Sequence, residues 1–93
     1  MVFVIAYDLV TPNDTSADYE RIIAAIKNLF GTWCHLEKSV WMVESALTAS
    51  EIRDSLKDSL YPKDMLFVAR LHGNWASWAL GEERNKWLKS QPF

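Results

Sequence analysis

Two nearly continuous apolar runs stand near opposite ends of the chain, Val2-Phe3-Val4-Ile5-Ala6-Tyr7 and Met65-Leu66-Phe67-Val68-Ala69-Arg70-Leu71. Each has the length of a strand and is far too short to cross a bilayer as a helix. A strand with one face in water alternates apolar and polar residues, so strands that are apolar at successive positions need cover on both faces. Any fold for this chain must therefore bury two sides of its sheet.

The residues between the runs supply the other elements. Leu9-Val10-Thr11-Pro12-Asn13-Asp14-Thr15-Ser16 reads as a loop. Ser16 or Asp14 can cap the helix that follows, in which Tyr19, Ile22, Ile23, Ile26, Leu29 and Phe30 recur at helical spacing. Gly31 is the expected stop, as a residue tolerant of positive φ. Thr32-Trp33-Cys34-His35-Leu36 and Ser39-Val40-Trp41-Met42-Val43 flank Glu37-Lys38 and read as a hairpin. Thr48-Ala49-Ser50-Glu51 is a capping-box pattern that opens a second helix, with Ile52, Leu56 and Leu60 on one face and Arg53, Lys57 and Asp58 toward water. The order β-α-β-β-α-β is that of an α+β, ferredoxin-like sandwich: two helices on one face of an antiparallel four-stranded sheet.

Two helices cover one face only. Either the C-terminal segment folds across the other or a second subunit packs there, and a homodimer with two-fold symmetry is the expectation. The chain reads as a single domain over residues 1–93, a core of 1–72 with a Trp-rich C-terminal extension over 73–93. That extension carries three of the five tryptophans, Trp75, Trp78 and Trp87. Glu82 to Lys89 suits a short helix, acidic first and basic last, whereas residues 73–81 fit irregular structure or a short strand. The tryptophans are read as core or interface filling, with base stacking as the alternative.

Composition narrows the function classes. With 93 residues the core is small, and a partner surface would help it. Half the chain is hydrophobic (49%), which excludes a disordered protein. Cys34 is the sole cysteine, so no internal disulfide forms, and the default location is the cytoplasm with no membrane partner. A net charge of −2 and a pI near 5.6 disfavour tight binding to a phosphate backbone. The last stretch, with Arg70, Arg84, Lys86 and Lys89 against Glu82 and Glu83, reads as a solvated helix face or a mild basic patch.

The candidate chemistry centres on Asp8, which closes the first apolar run. A carboxylate at a strand exit is held by the ladder, as a metal ligand or base must be; it can equally begin a turn. In the expected strand order the exit of the first strand meets the start of the third, so Asp8 should lie near Ser39. His35, Glu37 and Asp64 should reach the same edge of the sheet, where oxygen ligands suit Mg²⁺ or Mn²⁺. Glu37 and Asp64 also stand where turns and strand starts ordinarily carry acids. His35 and His72 are too isolated for a zinc site, Cys34 reads as an inert buried thiol, and the three glycines form no phosphate loop.

An apolar first strand ending Tyr7-Asp8-Leu9, an amphipathic helix bearing Arg21, then Gly31 and a hairpin whose second strand begins Lys38-Ser39-Val40-Trp41 resembles the Cas2-like proteins, which include CRISPR adaptation and VapD-type members. The resemblance implies a ferredoxin-like homodimer with sheets packed face to face and two Asp8 carboxylates approaching across the axis. It implies Mg²⁺- or Mn²⁺-dependent cleavage of RNA or DNA, with Asp8 as metal ligand and catalytic residue, Ser39 as its catalytic neighbour, and Tyr7, Arg21 and Lys38 toward nucleic acid. Other members are non-catalytic scaffolds, so a dimeric interaction or regulatory module is the alternative. The chain departs from the family pattern in having Asp18 and Glu20 beside Arg21, a longer hairpin and a Trp-rich end, the marks of a stand-alone relative.

Overall fold

The first apolar run forms the strand β1 (Val2–Asp8) and the last forms β4 (Met65–Arg70), with the hairpin β2 (Trp33–Glu37) and β3 (Val40–Glu44) between them in sequence. In space the order is β2-β3-β1-β4 and every neighbouring pair is antiparallel, which gives an open four-stranded sheet. The computed structural model describes residues 1–10 and 16–93, apart from the side chain of Ser16. The capping role assigned to Ser16 or Asp14, and most of the loop before them, lie outside the described residues.

Three helices complete an α+β fold: α1 (Ser16–Leu29), α2 (Ala49–Leu56) and α3 (Glu82–Lys89). The arrangement is compatible with a ferredoxin-like sandwich, but the order is not strictly β-α-β-β-α-β. A 3-10 turn at Lys57–Ser59 follows α2, and α3 follows β4. The helix expected over Glu82 to Lys89 is present, and no helix or strand forms over residues 73–81. Among the described residues, no helix is long and apolar enough to cross a membrane.

Helix α2 starts on the expected capping box. The Glu51 N–H donates to Thr48 Oγ1 at 3.1 Å, and the Thr48 N–H donates to Glu51 Oε1 at 2.9 Å. Two of the otherwise orphaned N–H groups are thereby satisfied. The end of α1 differs from expectation: the chain leaves the helix at Phe30, whose N–H closes the last turn on the Ile26 carbonyl at 3.1 Å. Gly31 does not take up left-handed backbone there; positive φ occurs at Ala79 (56°) and Gly81 (98°) instead.

Strand alternation sends Phe3, Ile5, Tyr7, Trp41 and Val43 to one face, where they meet Ile22, Ile26 and Phe30 of the α1 segment and Ile52 and Leu56 of α2. This is the main core. The opposite face holds a second cluster, in which Leu88 of α3 packs on Cys34 and Met42 with Leu36, Leu71, Trp75, Leu80 and Trp87 around them. The C-terminal residues are therefore not set apart as an extension. They form the cover that β2 and β3 need, because Cys34 and Met42 would otherwise present apolar surface to water.

The cover stops halfway across the sheet. On the β1 and β4 half of this face Phe67 is 63% and Met65 60% exposed, with Val4, Ala6 and Ala69 half-buried beside them. On the helix side β1 is buried at Phe3, Ile5 and Tyr7 and β4 is half-buried at Leu66 and Val68, while on the other side both strands are covered only in part.

Candidate functional site at the β1 exit

The β1 exit, the β2–β3 turn and the start of β4 converge at one end of the sheet. Asp8 is opposite Met65 in the register with β4, and the ladder with β3 runs on past Ala6 and Val40 until the Tyr7 N–H donates to the Ser39 carbonyl at 3.1 Å. The expected proximity of Asp8 and Ser39 holds to within one residue. Tyr7 is the residue opposite Ser39, so alternation turns the Asp8 side chain toward the half-covered face and that of its neighbour Tyr7 into the core. Asp8 is exposed, and its carboxylate makes no hydrogen bond or ion pair among the described residues. Ser39 belongs to the turn and not to β3, because a register shift between His35 and Glu37 lengthens that side of the hairpin.

The other acids expected at this edge are there, with different roles. Asp64 ties two segments together: Oδ1 accepts the Val10 N–H and Oδ2 the Tyr61 N–H, both at 2.8 Å. Glu37 Oε1 accepts the Ser39 N–H at 3.3 Å within the turn. Among the described residues no three His, Cys, Asp or Glu side chains gather as a metal-ligand group. Among the described residues, one subunit therefore offers Asp8 as the uncommitted carboxylate at this edge.

Tyr7, expected to face nucleic acid, is 5% exposed. Its hydroxyl accepts the Trp41 Nε1–H at 2.9 Å and donates to the Lys38 carbonyl at 3.2 Å. Burial pushes the phenol above its ordinary pKa, opposed in part by the Trp41 hydrogen bond, so it stays protonated and able to donate at neutral pH. The Lys38 carbonyl also lies 3.4 Å from His35 Nε2. The His35 ring stacks on the Trp41 indole with centroids 3.8 Å apart and planes 10° from parallel.

The two cations of the expected set rest on tyrosines. The Lys38 ammonium is 4.3 Å from the centroid of the Tyr19 ring, and the Arg21 guanidinium is 4.4 Å from that of Tyr61. Arg21 Nε also donates to the Ser59 carbonyl at 3.2 Å. Tyr19, Tyr61 and Trp41 are parts of this site that the sequence reading missed. No spacing signals them, since each meets its partner across elements that only the folded sheet brings together.

Away from this edge, a groove of about 560 Å³ lies between α3 and β2, lined in part by Trp33, Leu80, Glu82, Arg84 and Trp87. Arg84 donates there to the carbonyls of His35 (3.4 Å) and Leu80 (3.1 Å), which blocks part of the outer edge of β2. Cys34 is buried beneath α3, and burial pushes its thiol up, against a smaller opposing effect of the Arg84 charge. The thiolate is the reacting form, so alkylation of the folded protein at pH 8 is expected to be roughly a hundredfold slower than in denaturant. Equal rates by mass spectrometry would contradict the packing of α3 on β2. No protein-family model matches the chain.

Proposed function

We propose that the protein is a stand-alone member of the Cas2-like, ferredoxin-like proteins: a cytoplasmic homodimer that cleaves phosphodiester bonds in RNA or DNA with Mg²⁺ or Mn²⁺. The observation that carries this reading is Asp8, an exposed carboxylate uncommitted among the described residues, at the exit of a central strand, on the half of the sheet that α3 leaves bare. Packing two such halves together covers Met65 and Phe67 and brings two Asp8 carboxylates to one interface.

The donor set fits a hard divalent cation, which takes one or two carboxylates and fills its other positions with water and phosphate oxygens. Asp8 of each copy would hold it. When bound, such an ion supplies water activation and offsets phosphate charge. Asp8 itself contributes fixed position, because its backbone is paired with Met65 of β4 and the preceding Tyr7 is bonded to Ser39 on the other side. Ser39 at the adjacent turn is the catalytic neighbour in this reading, and Lys38 and Arg21, still exposed over their tyrosines, are the cations that meet the nucleic-acid backbone.

A second reading, a dimeric interaction or regulatory module without chemistry, is favoured by the engagement of both cations with tyrosine rings and by the acidic balance of the chain. One assay separates the two: cleavage of single-stranded and duplex RNA and DNA with and without Mg²⁺ or Mn²⁺. The nuclease reading expects metal-dependent cleavage that falls about a hundredfold or more in Asp8→Ala, roughly 2.7 kcal/mol of transition-state stabilisation. Cleavage unchanged by that substitution would sink it, and a dimer with no turnover would support the module.

A further inference from the structure

We infer that Tyr7 and Trp41 are positioning residues for the Asp8 edge, linked as a fixed relay that sets the Lys38–Ser39 turn against the β1 exit. This rests on the nuclease reading above and assigns Tyr7 a different task from contact with nucleic acid. Its hydroxyl is not presented to a ligand: it is spent between the Trp41 Nε1–H at 2.9 Å and the Lys38 carbonyl at 3.2 Å. Its backbone N–H is spent on the next carbonyl along the turn, that of Ser39, at 3.1 Å. Two successive carbonyls of the turn are thus fixed by one residue, and that residue is bonded directly to Asp8.

The relay is anchored at its far end. Trp41 is fully buried in the central strand β3, with His35 stacked on one side at 3.8 Å and Trp33 edge-on at 5.2 Å and 64°. The indole therefore cannot swing to follow the tyrosine. His35 adds a further contact to the turn, with Nε2 3.4 Å from the Lys38 carbonyl. The turn needs such fixing because the register shift between His35 and Glu37 interrupts regular pairing just before it. Without the hydroxyl the Lys38 carbonyl loses a donor on the core side and keeps only the long contact from His35, while Ser39 keeps its backbone bond to Tyr7 and its N–H bond to Glu37.

Positioning of this kind acts on the reacting geometry more than on affinity, since displacement of a group by about 1 Å can cost orders of magnitude in rate. The test is Tyr7→Phe, which deletes the hydroxyl and keeps the ring, in the full-length protein. Cleavage kinetics with Mg²⁺ on a fluorescent oligonucleotide are measured beside hydrogen exchange of the residue-7 amide, which reports its bond to the Ser39 carbonyl. The expected result is kcat lower by about tenfold with KM within about twofold, exchange at residue 7 faster by about tenfold, and a dimer that stays folded. Trp41→Phe, which removes the same hydrogen bond from the other end, should reproduce the kcat loss in direction. Unchanged kcat and unchanged exchange in Tyr7→Phe would overturn the assignment, as would a rise in KM at constant kcat, the signature of a direct substrate contact. If the wild-type protein shows no Asp8-dependent cleavage, the nuclease reading fails by itself, and the exchange rate still decides whether the relay holds the turn.

Discussion

Trp41→Ala should remove about 5 kcal/mol of stability, a third or more of what the chain holds. Trp41 is fully buried in the main core, and truncation to Ala removes an indole that bonds Tyr7 and packs against His35 and Trp33. Large aromatic-to-alanine changes cost about 3–5 kcal/mol, while a domain of this length holds only about 5–14 kcal/mol in total. The loss is expected near the upper end of that range, because the same change strips the Tyr7 hydroxyl of its donor and the His35 ring of its stacking partner. Urea unfolding followed by circular dichroism checks this: the midpoint should fall steeply, by an amount worth about 5 kcal/mol. A midpoint shift worth less than about 1 kcal/mol would mean that the core packs around other residues.

Phe67→Asp should split the proposed dimer while leaving the subunit folded. Phe67 is 63% exposed, so the subunit gains little from its ring, and the adjoining Met65 is 60% exposed on the same strip. In a two-fold interface each substitution counts twice. Interface hot spots contribute about 2 kcal/mol or more each, so two buried carboxylates in place of two rings should raise the dimer dissociation constant by about a thousandfold. Sedimentation velocity at micromolar concentration should then show dimer for the wild type and monomer for the variant, with matching far-ultraviolet spectra. Because each Asp8 would lose its counterpart, metal-dependent cleavage should fall with the dimer. Retention of a dimer by Phe67→Asp would place the interface elsewhere and remove the argument for paired aspartates.

Much of the scaffold was legible before folding was considered. The four strands, the capping box of α2 and the polarity of α3 are local features, encoded in side-chain type and spacing over a few residues. At the candidate site the placement of Asp8 at a strand exit beside the turn of the hairpin followed from strand order, and the structure agrees to within one residue. What could not be read was which face each side chain meets. A one-residue offset in register reverses the face, and the bulge before Glu37 is invisible in composition.

Tyr7 is the clearest instance. The family resemblance implied a contact with nucleic acid for it, yet it lies in the core, because alternation from Phe3 and Ile5 carries it there and Trp41 meets it from the neighbouring strand. Arg21 and Lys38 were legible as cations, but the tyrosines beneath them lie 40 and 19 residues away in the chain. Asp64 looked like a spare acid and proved to bind two backbone N–H groups.

Apolar residues at successive positions of β1 and β4 already call for cover on both faces of the sheet. How far that cover extends is a matter of the folded chain: α3 reaches β2 and β3 through Leu88 and stops there, leaving Met65 and Phe67 exposed beside Asp8. The reason is physical. Burial preference is a property of each residue, whereas the reach of one eight-residue helix across a four-stranded sheet is set by where the chain enters it.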